Sequence, residues 1–220
     1  MLASEIITEA AKQLNDVSYT RWTLADHYAY LTEALRQCVL IQPRANAVTA
    51  SVQLTASTTR QALPAAACAL IDIIRNMGAN GTTPGYAITV ADRQTLDTAN
   101  AGWHDATGST VIDNYTYDDR SPTIFYVTPP VHASTKVYVE ICYSKSPAAV
   151  TALADVLEIL DIYQGPLLEY QLYRCLNVNH ASEADRQTAQ THLGYFYAML
   201  GEKEKAAMML SPNNPQNVVG

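Results

Sequence analysis

The chain has 220 residues, 48% of them hydrophobic and 16% charged, with a net charge of −7 from 14 Lys and Arg against 21 Asp and Glu. That length allows one large domain or two small ones, and the composition supplies a packed core and excludes disorder of the whole chain. The acidic balance contains no run of Lys or Arg, so it lacks the clustered cations that a dedicated nucleic-acid binder needs.

Helical patterns run through residues 2–41 and 161–209. Leu2, Ile6, Ala10 and Leu14, widened by Ile7, trace the apolar face of a first helix that Asn15-Asp16 ends. Thr23 caps a second helix, with Asp26 three residues on in a capping-box arrangement. Leu24, Tyr28, Leu31, Leu35 and Cys38 form its stripe, and Pro43 stops it. From Ala45 the period changes to two. Val48, Ala50, Val52 and Leu54 predict a half-buried strand. Leu63-Pro64 opens a connection, and the β-branched run Leu70–Ile74 reads as a strand before the loop 76–85. Tyr86, Ile88 and Val90 alternate as a further strand, and Asp92 caps a short helix through Leu96. Residues 111–117 alternate again, 118–122 form a turn, and Thr123–Thr128 is a strand closed by Pro129-Pro130. Lys136–Tyr143 is the last strand. Short turns between strands imply antiparallel pairing.

Ser146-Pro147 marks the return to helix. Asp161 opens a third long helix carrying Ile162, Leu167, Leu168, Leu172 and Leu176; Pro166 requires that it start just before that residue or kink there. Ser182 with Asp185 opens a fourth, faced by Ala189, Leu193, Phe196 and Leu200, which Gly201 ends or interrupts. The predicted class is α+β: a helical bundle formed by N- and C-terminal helices (1–44 and 148–210) with an inserted antiparallel β-sheet domain (45–147) and an extended C-terminal tail (211–220).

Chemistry-bearing patterns are scarce. Cys38, Cys68, Cys142 and Cys175 are isolated in sequence and show no CxxC or Cys/His spacing, so buried free thiols are expected. His27, His104, His132, His180 and His192 form no HxxxH pair, and surface or interface positions are expected for them. Gly78, Gly81 and Gly85 are unevenly spaced without the Lys-Ser/Thr of a phosphate cradle. Asp118 and Asp119 read as turn chemistry rather than an acid–base pair. No catalytic residue, cofactor site or metal site is assigned. Met1-Leu2-Ala3-Ser4 leads straight into an amphipathic pattern, so no secretory signal is expected, and no apolar run reaches the ~18 residues of a membrane span. The 14 tyrosines against 2 Phe and 2 Trp suit contact surfaces wet at their edges, and several are expected to face neighbouring subunits.

Arg21-Trp22-Thr23, Ile74-Arg75-Asn76-Met77-Gly78, Phe125-Tyr126-Val127-Thr128-Pro129-Pro130, Val139–Ser144, and Asp161-Ile162-Tyr163 leading into Leu172-Tyr173-Arg174 occur in that order around one β insertion. In this the chain resembles the head-to-tail adaptor (connector) proteins of short-tailed bacteriophages, of the tail tubular type. The resemblance implies a virion structural protein, not an enzyme. It would be made in the host cytoplasm and assembled at the portal–tail junction. Its partners would be itself in a ring, usually a dodecamer, the portal protein, the tail nozzle protein, and DNA that passes through the channel without sequence-specific binding; a membrane is not among them. Portal binding falls on Met208, Met209, Leu210, Pro212, Asn213, Asn214 and Pro215, and a tail-facing loop on Gly78, Asn80, Gly81, Thr82 and Thr83. The alternatives are a small soluble enzyme or ligand-binding domain, which needs a closed pocket with convergent polar groups, and a host-side module that captures peptides on a β edge.

Overall fold

The structure, a computed structural model, describes residues 1–178 and 182–210, without the side chains of 203–210. In chain order the helices are α1 (Ala3–Gln13), α2 (Leu24–Ile41), α3 (Arg93–Ala99), α4 (Gln164–Leu176) and α5 (Glu183–Leu210). The strands are β1 (Ala47–Gln53), β2 (Arg60–Ala62), β3 (Ala67–Asn76), β4 (Thr89–Val90), β5 (Asn114–Tyr117), β6 (Ile124–Thr128) and β7 (Tyr138–Lys145). They divide into two compact units: Met1–Asn46 with the chain from Pro147 onward, and Ala47–Ser146.

The first unit is helical. Residues Ala3, Ile6, Ile7, Ala10 and Ala11 of α1 are buried, while Leu2, expected on that face, lies before the helix and is 40% exposed. Asn15 ends α1 with φ at 54°. Asp16 then accepts the N–H groups of Thr20, Arg21 and Trp22 at 2.8–3.0 Å, which folds the connection tightly. Those bonds hold its carboxyl below the usual carboxylate range. The capping box opening α2 forms as the sequence predicts: the Asp26 N–H donates to Thr23 Oγ1 at 3.3 Å and the Thr23 N–H to Asp26 Oδ2 at 2.9 Å.

Residues 147–160 hold neither a helix nor a strand, yet Val150, Leu157 and Ile159 enter the core. In this stretch the carbonyls of Asp155 and Leu153 accept the N–H groups of Ala3 and Ser4, which satisfies the open start of α1. Pro166 sits in the first turn of α4, where its missing N–H leaves no intrahelical bond unmade. The Ser182/Asp185 pair caps α5 at 3.1 and 3.3 Å, and α5 continues through Gly201 to Leu210. Ile6, Ile7, Leu31, Leu35, Leu167, Phe196 and Leu200 form the centre of this unit's core.

The second unit carries a three-stranded sheet in the order β1-β7-β3 and a four-stranded sheet in the order β2-β6-β5-β4, sharing one core around Ile73, Ile112, Phe125, Val127, Val139 and Ile141. All pairs are antiparallel except β4–β5. The parallel pair departs from the expected antiparallel sheet because α3 carries the chain back between the two strands, as a crossover requires. Of the segment expected as a strand around Tyr86–Val90, only Thr89 and Val90 form a strand, while Ala87 makes an isolated antiparallel bridge to Arg75; Ile88 is buried while Tyr86 and Val90 stay exposed. β2 has no counterpart in the sequence expectation. It is short and polar, and its buried Gln61 bonds the Thr55 N–H and the Thr55 and Thr58 carbonyls.

Two expectations about side chains are corrected. Cys38 and Cys175 are buried, but Cys142 is half-buried and Cys68 exposed, because the β3 ladder shifts register between Ala67 and Ala69 and leaves Cys68 out. His27 is not on the surface; it is fully buried where α2 packs on α4.

Candidate functional site

The loop after β3 is built on one asparagine. Asn76, 4% exposed, donates from Nδ2 to the carbonyls of Tyr86 (3.0 Å) and Ile112 (2.8 Å), and its Oδ1 accepts the Ile112 N–H at 2.9 Å. Its backbone also bonds Tyr86 and Gly85, closing the loop's base. At the tip, Asn80 Oδ1 accepts the N–H groups of Thr82 and Thr83 at 3.0 and 3.1 Å, a side-chain turn that fixes the chain without a ladder. Gly81 has φ at +75°, and a Cβ there would lie 2.9 Å from Tyr138 Cδ1 and 3.2 Å from Ser51 Oγ. Only glycine lets the tip lie this close to the sheet. Gly78, Asn80, Gly81, Thr82 and Thr83 thus form one ordered turn, with Asn80, Thr82 and Thr83 exposed. Such a turn offers fixed hydroxyls and amides to a partner and carries no charge.

Elsewhere in the sheet unit, ionisable groups serve the fold. The Tyr115 hydroxyl donates to Asp72 at 3.0 Å, and burial followed by that bond pushes it up to about 12. Arg75 pairs with Glu140 across β3 and β7 at 2.7 Å. His104 stacks on Trp103 at 3.7 Å and bonds Thr59 at 2.7 Å. The Arg120 guanidinium holds the Asp118 carboxyl down at about 2, inside the expected turn.

In the helical unit, α1, the connection after it, α4 and α5 line an open groove of about 310 Å³. Trp22 and Leu172 give it apolar wall, and Gln13, Arg21, Asp185, Thr188 and His192 give it polar groups. These are already engaged: Arg21 lies 4.3 Å over the Trp22 ring and 3.7 Å from Asp185, and His192 bonds Glu169 at 2.7 Å. A thiol lies beside an imidazole at Cys175 and His27, with Sγ 4.0 Å from Nδ1. Burial pushes the thiol up to about 12 and pushes His27 down, so both are neutral at neutral pH and the thiol is not activated. Among the described residues no group of His, Cys, Asp and Glu could hold a metal ion, and no helix is long and apolar enough to cross a membrane.

Tyr163 and Tyr170 are core residues, whereas Tyr195 and Tyr197 of α5 are half exposed next to Met199. The geometry therefore offers presented surfaces: a preformed turn, and exposed tyrosines on either flank of the buried Phe196 of α5. The family model of the SU10 adaptor protein matches residues 1–216. The chain belongs to the SU10 adaptor protein family. It is thus an adaptor, a structural protein of the bacteriophage virion that interacts with other connector components. No curated protein matches the chain.

The segment expected to bind a portal lies only partly among the described residues. Met208, Met209 and Leu210 end the backbone of α5. Pro212, Asn213, Asn214 and Pro215 lie outside the described residues, as does His180. Sequence pattern places Asn76 at the start of the loop and Ser51 and Tyr138 in strands, but it marks none of the three as shaping the 78–83 turn.

Proposed function

We propose that this adaptor assembles as a ring, a dodecamer in the form its resemblance implies, that joins the portal to the tail nozzle and extends the DNA channel. The family match along residues 1–216 carries this reading. The turn at Gly78–Thr83 meets the tail side, and the segment from Met208 to Pro215 docks on the portal. DNA passes without sequence-specific contacts, which suits a chain of net charge −7 because like charge opposes adhesion. The subunit works by fitting surfaces together, in keeping with a neutral, buried Cys175 and engaged groove residues.

Truncation after Gly201 separates docking from folding. It keeps Ala189, Phe196 and Leu200, the residues of α5 that are buried among those whose side chains are described. The expected result is a circular-dichroism spectrum that loses only the helical signal of the removed turns of α5, with cooperative unfolding and lost portal binding. Undiminished affinity for the portal would move the docking site elsewhere. Electron cryomicroscopy of tailed particles locates the ring, and antibody labelling confined to the cytosol of infected cells would contradict it.

A further inference from the structure

The two sheets leave edges of unequal kinds. β2 is three residues long and β4 two. β3 bulges where its ladder to β7 shifts register, carries Asp72 and Arg75, and on its outer side bonds the following segment through Asn76 N–H to Tyr86 O and Ile88 N–H to Ile74 O. These are the devices by which natural sheets discourage a stray strand: short edges, bulges, charge and cover. β1 has none of them. Its seven residues, Ala47-Val48-Thr49-Ala50-Ser51-Val52-Gln53, hold no charge and no proline, and pair with β7 in unbroken register.

The orientation of the β1 backbone follows from its end. The Leu54 N–H bonds Val137 O at 2.9 Å, while Tyr138, opposite Gln53, spends its N–H and C=O on Gly78 and Met77. Alternation then turns Val48, Ala50 and Val52 toward β7 and leaves the N–H and C=O of Thr49, Ser51 and Gln53 on the open side. Ala47, Thr49, Ser51 and Gln53 are exposed. An edge of this kind, about 23 Å long, is a template for strand addition.

We propose that the outer edge of β1 accepts an extended strand from a different connector protein of the particle. This rests on the ring reading above. Within a ring every contact runs head to tail, the adaptor's remaining edges are too short or too guarded to cover seven residues, and its last ten residues carry Pro212 and Pro215, which leaves no proline-free stretch of seven there. Pairing of β1 with β1 of a second copy is two-fold and closed, so it cannot propagate around a ring. The occupant is therefore a proline-free stretch of about seven residues from another polypeptide. Main-chain bonds supply its affinity.

Hydrogen–deuterium exchange resolved to single amides tests this, on the isolated full-length adaptor and on the adaptor in tailed particles. In the isolated protein the amides of Thr49, Ser51 and Gln53 exchange about 100-fold faster than those of Val48, Ala50 and Val52; in particles both sets are equally slow. Fast exchange that persists in particles containing the adaptor overturns the proposal and leaves the ring reading standing. Slow exchange already in the isolated protein, with a doubled mass by light scattering, gives the edge to a second copy and overturns it too. Absence of the adaptor from particles overturns both readings. Thr49→Pro removes an outward donor and no ladder bond. With Thr49→Lys as the second variant, unfolding stays cooperative and portal occupancy normal while completed tails fall about tenfold. Completed tails at the normal level in both variants would overturn the proposal.

Discussion

The two units solve the same problem, satisfying buried polar groups, in opposite ways. In the helical unit the backbone is satisfied within each helix, so polar side chains are free to tie one element to another. Tyr163 donates to Gln42 at 2.8 Å, and Gln42 donates to the Leu200 carbonyl at 2.6 Å. Tyr170 and Arg174 of α4 both donate to Glu33 of α2 at 2.8 Å, and the Val150 N–H donates to Thr32 at 2.9 Å. In the sheet unit the connections between strands lack regular structure, so Asn76, Asn80 and Gln61 use their amides in place of missing ladder bonds. The helical unit is thus a chassis fixed by helix-to-helix packing. The sheet unit is a carrier whose exposed turn is fixed from within.

That contrast predicts unequal costs of mutation. Phe196 is fully buried, 5.0 Å from the Tyr170 ring; Phe196→Ala removes α5's central anchor and lowers stability by about 3–5 kcal/mol in urea unfolding. Asn76→Ala strips the partners from Ile112 and reduces stability by about 2–3 kcal/mol, with faster amide exchange across 77–86 and little change in the helical unit. Gly81→Ala strains a positive φ and presses on Tyr138, costing about 1–2 kcal/mol. If exchange in the helical unit rises equally in the Asn76 and Gly81 variants, the two units are not energetically separate.

The smallest effect is seen only on acidification. Burial holds the folded-state value of His27 below its ordinary one, with Asp16 and Asp26 opposing the shift, Gln171 and Cys175 packed against the ring from α4, and Tyr19 edge-on at 5.6 Å. The unfolded chain therefore binds a proton first. Stability is full above pH ~6.5 and falls as pH drops below it toward the lowered folded-state value. His27→Gln should flatten that limb of the urea-midpoint profile; an unchanged slope would place its origin elsewhere.

Most helix starts, in both units, were legible because their signals are local. Thr23 with Asp26, Asp92, and Ser182 with Asp185 each mark a helix start by a bond spanning three residues. The alternation of Val48, Ala50 and Val52 marked β1 in the same way. Segments 147–160 and 60–62 were not legible: their burial comes from tertiary contacts of an aperiodic chain, which no period of 2 or 3.6 reports. The burial of His27 depends on Gln171, far along the sequence. Of the candidate surfaces, the glycines announced a turn at 78–83, but its rigidity rests on Asn76 reaching Ile112 and on Tyr138 and Ser51 beneath Gly81. The openness of the β1 edge could be read only once the strand order was known.

The central claim, that this chain functions by joining surfaces in a multimeric connector, is tested most directly by the native mass of the full-length adaptor mixed with its portal. The account predicts one species holding the portal plus a fixed, multiple complement of adaptor copies. A mixture in which adaptor and portal keep their separate masses at every ratio would contradict it.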